Sequence, residues 1–332
     1  MRDSSQLPTL ILAKLKSFAV ELDKDDDYEE RVFPSGAILF NSSRVIAYSL
    51  SDEVSALPVV LAQKELTSEM EIHLVVDQEN PVLSAQIRGF DLDISLWLVE
   101  GKKLVEHPET PTYRKKTAPE GARDLVKKLT SLECCILEEH GTFRAEFRGV
   151  EVARITEEEN GHFKINVGIG DYDQNAHNLL FHQENLDDRI KEVISMIKKL
   201  RHKESPPHPL NRILRSRWLM SEVISNPELI GMEELNFVES LLPEYDALRN
   251  EPCAAIGVRD NAVILVLSAT GVDLDLVPHG GGQLGRHNPD ELLLLMPEQD
   301  QHPVILRQSR HLRTAPSFRS IPTPWPEFLQ NK

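Results

Sequence analysis

Residues 36–50 read GAILFNSSRVIAYSL, and residues 254–268 read AAIGVRDNAVILVLS. The two stretches align without a gap over an alanine–isoleucine pair and, further along, a valine–isoleucine pair. Each has apolar, β-branched runs on both sides of turn residues, which is the pattern of a β-hairpin. The same hairpin near each end of the chain predicts an internal repeat, and a repeat constrains the architecture before any single residue is interpreted.

The correspondence continues beyond the hairpins. Matched positions further along, first copy before second, are Pro58 and Pro278, Asp77-Gln78-Glu79 and Glu298-Gln299-Asp300, Pro81-Val82 and Pro303-Val304, Gln86 and Gln308, and Arg88 and Arg310. The copies share mostly apolar strand cores, turns and prolines, a pattern that preserves a fold more visibly than an active site. We therefore predict two related terminal modules, each with the order helix, strand, strand, helix, strand.

The composition is that of an ordinary globular protein with an acidic balance. The chain has 332 residues, of which 40% are hydrophobic and 27% charged, so it has material for two or three domains with buried cores. Its formal charge of −16 argues against a general polyanion-binding protein, because phosphate binding needs clustered lysine and arginine.

Cysteine use and the first residues of the chain bear on its location. The three cysteines, Cys134, Cys135 and Cys253, offer no disulfide framework and no four-cysteine zinc site. Residues 1–22 carry charges within their apolar stretch, which is not the pattern of a signal peptide or a membrane span. We therefore expect a protein of the reducing cytoplasm.

Proline-rich stretches indicate the domain boundaries. Residues 107–118 are rich in proline and charge and are typical of a linker, and Pro206-Pro207-His208-Pro209 breaks the chain again. We predict three domains: an α/β module over residues 1–106, a middle domain over 119–205, and a second α/β module over 206–332. The alternation of helices and strands predicts a mixed α/β (α+β) fold.

The middle domain has the pattern of a β-meander flanked by helices. Four candidate strands follow a predicted helix over 122–132, and the helix Leu186–Leu200 has apolar residues at helical spacing with Asn185 as its cap. After the proline break we predict one continuous helix that begins at Pro209. In the first module we predict a helix over residues 52–66.

The order helix, hairpin, helix, strand resembles the core of restriction-endonuclease-like folds. Such enzymes hold Mg²⁺ with an aspartate and an Asp/Glu-x-Lys set on adjacent strands, where the lysine polarises water. The equivalent second strands offer Ala47-Tyr48-Ser49 and Leu267-Ser268-Ala269, and the middle meander offers Glu151-Val152-Ala153. None of the three contains the lysine, so the residues favour a sheet without this chemistry.

Asp273 and Asp275 are the candidate metal ligands. They alternate with apolar residues in Gly271-Val272-Asp273-Leu274-Asp275-Leu276, so on a strand they would share one face and could hold a hard cation. The alternative is a half-exposed element with solvated acids, or an aspartate that caps a helix. Glu239, from the preceding segment, completes the candidate catalytic set.

Two further motifs favour structural roles. His279-Gly280-Gly281-Gly282 resembles the oxyanion loop of lipases, but the chain has no Gly-x-Ser-x-Gly nucleophile elbow and no dinucleotide-binding glycine pattern, so we predict a mobile loop. A polar cluster before the helix Leu186–Leu200 has no standard metal-binding spacing and favours helix capping; its members are Asp171, Asp173, His177 and His182.

One basic stretch stands out from the acidic background and is spread over two predicted helices. Its candidate nucleic-acid or phosphate contacts are Lys198, Lys199, Arg201, Arg212 and Arg215, with His202, Lys203 and Arg217 nearby. The alternative is that cations near a helix C-terminus offset the helix dipole and the others balance acidic surface. The net charge disfavours nucleic acid as a partner.

Four short stretches carry a resemblance to a known family. They are residues 149–154, 206–212, 217–219 and 271–278. In these stretches the second half of the chain resembles a family of uncharacterised actinobacterial proteins. The resemblance implies a lineage, and it supplies no functional residues because no activity is associated with the family.

Three functions follow from these patterns. Duplication without a catalytic triad favours a non-enzymatic cytosolic binding or scaffold protein whose modules present surfaces to a partner protein. The second function is an atypical metal-dependent nuclease or phosphohydrolase that uses Asp273, Asp275 and Glu239 with Mg²⁺ or Mn²⁺, and it predicts that these carboxylates converge on one site. The third is a non-catalytic nucleic-acid-binding protein.

Overall fold

The structure is a computed structural model that describes residues 7–22, 27–50, 56–108, 113–130, 132–170, 185–243 and 245–326. Within these ranges eight α-helices and fifteen strands in three sheets form a mixed α+β fold, which confirms the predicted fold class. The chain divides into two compact units: unit 1 comprises residues 1–112, 272–288 and 301–316, and unit 2 comprises residues 113–271, 289–300 and 317–332.

The helices are α1 (Leu7–Leu22), α2 (Leu57–Leu61), α3 (Pro81–Ile87), α4 (Glu120–Thr130), α5 (Leu186–Leu200), α6 (Arg215–Ser225), α7 (Leu276–His287) and α8 (Pro303–Ser309). The strands are β1 (Glu29–Phe33), β2 (Gly36–Phe40), β3 (Arg44–Ser49), β4 (Glu71–Val76), β5 (Asp93–Glu100), β6 (Lys103–Glu106), β7 (Cys135–Glu139), β8 (Thr142–Phe147), β9 (Val150–Glu157), β10 (Phe163–Val167), β11 (Leu235–Phe237), β12 (Cys253–Arg259), β13 (Ala262–Ser268), β14 (Glu291–Met296) and β15 (Ser317–Ser320).

The first sheet lies in unit 1 and has the strand order β1–β2–β3–β4–β5–β6. The hairpin predicted over residues 36–50 is β2–β3, in which Ala37 faces Tyr48. Strand β3 pairs parallel with β4, and β4 pairs parallel with β5. Helix α1 packs Leu15 and Phe18 into the apolar core formed with this sheet, because apolar residues at helical spacing line one side of the helix.

The third sheet lies in unit 2 and has the strand order β11–β12–β13–β14–β15. Its successive pairings are antiparallel, antiparallel, parallel and parallel, as they are along β1 to β5. Strands β12 and β13 form the second predicted hairpin, and Ala255 faces Val266 as Ala37 faces Tyr48. The modules therefore share topology and hairpin register, and their common origin stays a prediction.

Helices α7 and α8 follow strands of the third sheet in the chain but belong to unit 1, where they pack with α2 and α3. We call these four helices the helix layer. The Gln308 side chain of α8 donates from Nε2 to the Pro58 carbonyl of α2 at 2.8 Å. Next to the layer, Phe90 and Leu312 form an antiparallel β-bridge. Pro58 and Gln308, each of which has a counterpart in the other copy of the sequence repeat, thus contact each other in the helix layer.

The triple-glycine motif lies inside a helix and is buried. His279-Gly280-Gly281-Gly282 forms the middle of α7, so the predicted mobile loop is wrong. Backbones approach so closely here that a Cβ atom on Gly89 would lie 2.2 Å from the Cα atom of Gly281. This close packing offsets the low helix propensity of glycine, which is why local sequence alone points to a loop.

The middle sheet lies in unit 2 and is an antiparallel meander with the order β10–β9–β8–β7. Helices α4 and α5 contribute to the apolar core on one face of the sheet, where Phe143 and Ala145 of β8 meet Ile190 and Val193 of α5. The predicted bounds of Leu186–Leu200 are confirmed. Asn185 caps this helix by accepting a hydrogen bond from the Asp187 N–H at 3.1 Å.

Two other helix predictions are wrong. Pro209 begins a 3₁₀ turn of three residues, and α6 starts only at Arg215. Between them Leu214 has a left-handed backbone with φ of 47°, which ends the turn before the helix begins. In the first module, α2 covers only Leu57–Leu61 of the predicted helix; residues 52–55 lie outside the described residues.

No helix among the described residues is long and apolar enough to cross a membrane. Each of the three predicted domains holds one sheet. The compact units assign the strands β11–β15 of the last module to unit 2 and its helices α7 and α8 to unit 1. The division into residues 1–106, 119–205 and 206–332 stays a prediction.

Candidate functional site

The middle sheet has a second face that is charged. Along β8 the side chains alternate, so that Phe143 and Ala145 enter the apolar core while Arg144 and Glu146 lie opposite. Both charged residues are buried. Because a buried charge is unfavourable unless it is paired, this face must find its partners within the protein.

The partners come from neighbouring strands and from helix α6. The Nε atom of Arg217 donates to Glu146 at 2.8 Å, and its Nη2 atom donates to Glu139 at 2.7 Å. Arg144 also pairs with Glu139, and its Nε atom lies 3.7 Å from Glu151. We call these five residues, all less than 9% exposed, the ion-pair network.

The ion-pair network shifts the pKa of Glu139 and of Arg217 in favour of their charged forms. Burial by itself favours the neutral Glu139 carboxyl, but the guanidinium groups of Arg217 and Arg144 outweigh it and hold its pKa at about 2. Burial also opposes the charge on Arg217, yet Glu139 and Glu146 raise its pKa well above the usual value. Glu139 and Arg217 are therefore fixed charges at neutral pH and not a proton acceptor and donor.

A tight hairpin turn fixes the geometry of the Glu146–Arg217 pair. Arg148 and Gly149, between β8 and β9, both have positive φ values, 50° and 71°, as a type I′ turn requires. A Cβ atom on Gly149 would lie 2.6 Å from the backbone carbonyl carbon of Arg217. The glycine thus lets the turn press against α6 beside the arginine that pairs with Glu146.

An open cleft of about 510 Å³ adjoins this pair within unit 2. Its lining comes from four separate parts of the chain, namely residues 132–135, 146–149, 221–222 with 224–225, and Phe237. Ile224 and Phe237 supply apolar surface, and Glu146 and Glu222 supply carboxylates. We call this space the cleft. Concave sites of this size with a few placed polar groups are typical ligand sites.

The two carboxylate oxygens of Glu146 differ in their hydrogen bonding. Its Oε2 atom accepts the hydrogen bond from Arg217, whereas no described residue donates to the buried Oε1 atom. Most buried polar atoms in folded proteins have a partner, so an unpartnered carboxylate oxygen beside an open cleft requires an explanation.

Two adjacent thiols line the cleft. Cys134 is half-buried, and Cys135 is exposed and faces Glu146 across the β7–β8 pair. Burial raises the pKa of Cys134 to about 11, and burial together with the Glu146 charge raises the pKa of Cys135. Both thiols are mainly protonated at neutral pH, which makes them poor nucleophiles.

Glu239, a predicted catalytic residue, is buried in unit 2 and engaged on both oxygens. Its Oε1 atom accepts a hydrogen bond from the Tyr113 hydroxyl at 2.5 Å, and its Oε2 atom accepts one from the His140 N–H at 2.7 Å. These contacts tie the segment before α4 and the β7–β8 turn to the segment that follows β11. The geometry is that of a buried structural anchor.

Asp273 and Asp275 lie in unit 1, in the turn before α7 and not on a strand. The Oδ1 atom of Asp273 accepts a hydrogen bond from the Asp275 N–H at 2.9 Å, which is the contact of an Asx-turn. Among the described residues no three His, Cys, Asp or Glu side chains form a group that could hold a metal ion. The metal-dependent site stays a prediction.

The candidate nucleic-acid contacts divide by exposure. Lys198, Lys199 and Arg212 are exposed, and Arg215 is half-buried. Arg201 is fully buried, and its guanidinium donates to the backbone carbonyls of three residues, Leu210, Ile213 and Leu214. Burial lowers its pKa to about 9. Arg201 therefore holds the left-handed turn before α6 and does not present its charge to solvent.

The cleft and the ion-pair network were not predicted from the sequence. One local signal could have pointed to them, the alternation of charged and apolar residues in Thr142-Phe143-Arg144-Ala145-Glu146-Phe147. The pairing of Glu146 with Arg217 has no local signal, because the two residues lie 71 positions apart. The predicted cluster at residues 171–182 lies outside the described residues.

Comparison with known proteins adds no relative. No protein-family model, no curated protein and no solved structure matches the chain.

Proposed function

We propose that this protein is a non-enzymatic binding and scaffold protein of the cytosol, and that the cleft in unit 2 takes a segment of a partner protein. The observation that carries the proposal is the cleft itself, an open space of about 510 Å³ with an unpartnered carboxylate oxygen in its lining residue Glu146. Such a space combines room for a side chain with a group that orients it.

The lining of the cleft suits a peptide segment. Ile224 and the ring of Phe237 offer apolar contact, while Ser221 and Glu222 offer polar contact on the same helix. Interfaces that bind peptides combine a small apolar centre with a polar rim. An openness to solvent on one side lets a chain segment enter without unfolding either partner.

The support beneath the cleft is rigid. Its walls include strands β7 and β8 with the turn that follows β8, residues 132–134, helix α6 and strand β11. The Glu146–Arg217 pair joins the sheet to α6 at 2.8 Å. Sites built on helices and strands, and held by further hydrogen bonds, keep their shape before a ligand arrives. Less entropy is then lost on binding, which favours affinity.

The helix layer of unit 1 supports the scaffold part of the proposal. There the helices of the last module pack with those of the first, and Gln308 reaches the Pro58 carbonyl. The corresponding residues of the repeat are thus used for assembly within the chain. A protein whose repeated parts serve assembly is suited to present a separate binding surface.

A blocking substitution tests the proposal. Ser225 is exposed and lines the cleft at the end of α6, so Ser225→Trp fills the space without entering the apolar core. Ser195→Trp is the matched control, because Ser195 is exposed on α5 and does not line the cleft. Peptides enriched from a random displayed library against the native protein are then titrated into all three proteins by calorimetry.

We expect the enriched peptides to bind the native protein and Ser195→Trp alike and to lose about tenfold or more in affinity for Ser225→Trp, the loss that blocking a central contact gives. Equal affinity of the peptides for Ser225→Trp would show that they bind outside the cleft. Hydrolysis of DNA or RNA with Mg²⁺ or Mn²⁺ that is lost in Asp273→Ala would replace the binding proposal with the nuclease function.

A further inference from the structure

The unpartnered oxygen of Glu146 gives the cleft a chemical preference. The Glu146 side chain is 2% exposed, Arg217 holds only its Oε2 atom, and no donor among the described residues reaches Oε1. A buried anionic oxygen without a donor is unfavourable, so a ligand that brings a donor to it removes that penalty. The donor that fits a carboxylate best carries a positive charge.

The charges of the residues that line the cleft also favour a positively charged ligand. Its lining holds three carboxylates, those of Glu133, Glu146 and Glu222, against the single guanidinium of Arg148. Arg148 donates to the Arg201 carbonyl at the hairpin turn, and Glu133 pairs with Lys198. Among the described residues, the Glu222 carboxylate accepts a hydrogen bond from a neutral donor, the indole N–H of Trp218, at 3.2 Å.

We propose, on the basis of the binding function above, that the cleft binds a protonated amine or a guanidinium group that donates to Oε1 of Glu146 and is attracted by Glu222. A lysine or arginine side chain of a partner and a free organic cation share this chemistry. The cation replaces the missing donor, and the apolar contacts of Ile224 and Phe237 receive its carbon stem.

Cys135 provides a probe of this charge inside the cleft. Its thiol is exposed, it lines the cleft, and it faces Glu146 in the sheet. The Glu146 charge contributes to its raised pKa, so the thiol senses that carboxylate. Cys134→Ser removes the neighbouring thiol, and Cys253 is buried, so Cys135 is the thiol that reacts.

The first measurement compares two methanethiosulfonate reagents, one with an ammonium group and one with a sulfonate group. Each transfers its sulfenyl group to the thiolate, a mixed disulfide forms, and methanesulfinate leaves. The ratio of the two rate constants cancels any change in the thiol pKa, since the same thiolate attacks both reagents. It therefore reports the charge preference of the cleft alone.

We expect the cationic reagent to react faster, and Glu146→Gln to lower the ratio by about tenfold, a typical effect of one nearby charge in a partly desolvated site. Glu157→Gln is the matched control, because Glu157 is exposed at the end of β9 and does not line the cleft. Its ratio should equal that of the parent. Circular dichroism establishes that each variant is folded.

If Glu146→Gln fails to fold without the charge opposite Arg217, Glu222→Gln decides the question. Glutamine at this position still accepts the Trp218 hydrogen bond, and the ratio should fall by about threefold, since Glu222 is only half-buried. An unchanged ratio in every folded lining variant would overturn the proposal.

The second measurement uses protection of Cys135 from iodoacetamide, a neutral reagent. We expect n-butylammonium and n-butylguanidinium to protect the thiol and 1-butanol, their neutral counterpart, not to. A capped Gly-Lys-Gly tripeptide that protects at lower concentration than butylammonium assigns a partner side chain; equal protection assigns a free organic cation. Protection by butanol as strong as by butylammonium, or no protection by any cation, overturns the proposal.

The outcomes also separate this proposal from the binding function. In one outcome, the peptides enriched against the native protein protect Cys135 without needing a lysine or arginine for that protection. In that outcome the cleft binds a partner and the cation preference is wrong. If those peptides leave the reactivity of Cys135 unchanged, the binding function in this cleft fails as well.

Discussion

The helix layer of unit 1 and the ion-pair network of unit 2 solve the same packing problem with different chemistry. In the helix layer, Gly89 and Gly281 let two backbones come into contact. In the ion-pair network, the guanidinium of Arg217 fills the space between helix and sheet and satisfies Glu139 and Glu146. One contact depends on the absence of side chains and the other on paired charges.

The difference explains why the two regions are suited to different tasks. The close contact between the Gly89 and Gly281 backbones involves no charged group, so it is suited to permanent assembly. The ion-pair network holds Oε2 of Glu146 and leaves its Oε1 atom without a partner among the described residues. The charged region therefore has a carboxylate oxygen with which a ligand in the cleft could interact.

The largest expected effect comes from removing the shared cation of the network. Arg217→Met leaves Glu139 and Glu146 buried without their main partner, which should lower the free energy of unfolding by about 3–5 kcal/mol. Urea unfolding followed by circular dichroism measures it. Arg212→Met, at an exposed arginine nearby in the chain, is the control and should change stability by less than about 0.5 kcal/mol. Similar free energies of unfolding for the two variants would show that the ion-pair network does not stabilise the fold.

A smaller but still large effect is expected in the helix layer. Gly89→Ala places a methyl group 2.2 Å from the Cα and carbonyl oxygen atoms of Gly281, so one backbone must move. We expect a loss of about 3 kcal/mol, at the upper end of overpacking effects. Thermal unfolding measures it. Unchanged stability would mean that the backbones of Gly89 and Gly281 do not approach each other this closely.

Acid should act on the network and spare the helix layer. The folded-state pKa of Glu139 is depressed to about 2 from a usual value of 4.5, so its contribution to stability is present above pH 4.5 and is lost as the pH falls toward 2. The loss is on the order of 2–3 kcal/mol. Urea midpoints measured between pH 7 and pH 2 should fall, and Glu139→Gln should flatten that dependence; an equally steep fall in the variant would assign the effect to other carboxylates.

The smallest expected effect has the opposite sign. Gly285 lies on the exposed side of α7, and a Cβ atom there would be 3.9 Å from the Cβ atom of Arg88, an ordinary contact. Gly285→Ala should therefore stabilise the protein by about 0.5–1 kcal/mol through helix propensity. The same thermal unfolding serves as the matched control for Gly89→Ala. A loss of stability would show that α7 tolerates no added methyl group on either side.

Sequence patterns predicted the local elements of this fold well. The helix Leu186–Leu200 and its cap Asn185 follow from spacing and side-chain chemistry within sixteen residues, and the structure has the same bounds. The hairpins β2–β3 and β12–β13 were predicted for the same reason, since turn residues and apolar runs are adjacent in the chain.

The failures share a physical cause, which is contact with residues outside the segment that was predicted. Gly281 is helical because it meets Gly89. The helix predicted from Pro209 is broken at Leu214, and the buried Arg201 guanidinium donates to the carbonyls of Leu210 and Ile213, which would accept from backbone N–H groups in a continuous helix. Tertiary contacts of this kind override local propensity.

The candidate site was missed for the same reason. The local sequence around Glu146 shows an alternating strand but does not reveal that Arg217 is its partner or that one oxygen stays unpaired. The local pattern instead predicts Asp273 and Asp275 as site residues, because their alternation with apolar residues can be recognised within six positions of the sequence. A cleft is a property of the assembled chain, so only the structure could place it.

The reactivity of Cys135 tests the central claim most directly, because this thiol lies in the cleft and reports whether the cleft is filled. In the Cys134→Ser protein, the rate of alkylation by iodoacetamide is measured with and without a saturating peptide enriched against the native protein. We predict that the bound peptide slows alkylation of Cys135 by about tenfold or more, as burial of a reactive side chain in an interface does. An unchanged rate at saturation would contradict the account, since the partner would then bind somewhere other than the cleft.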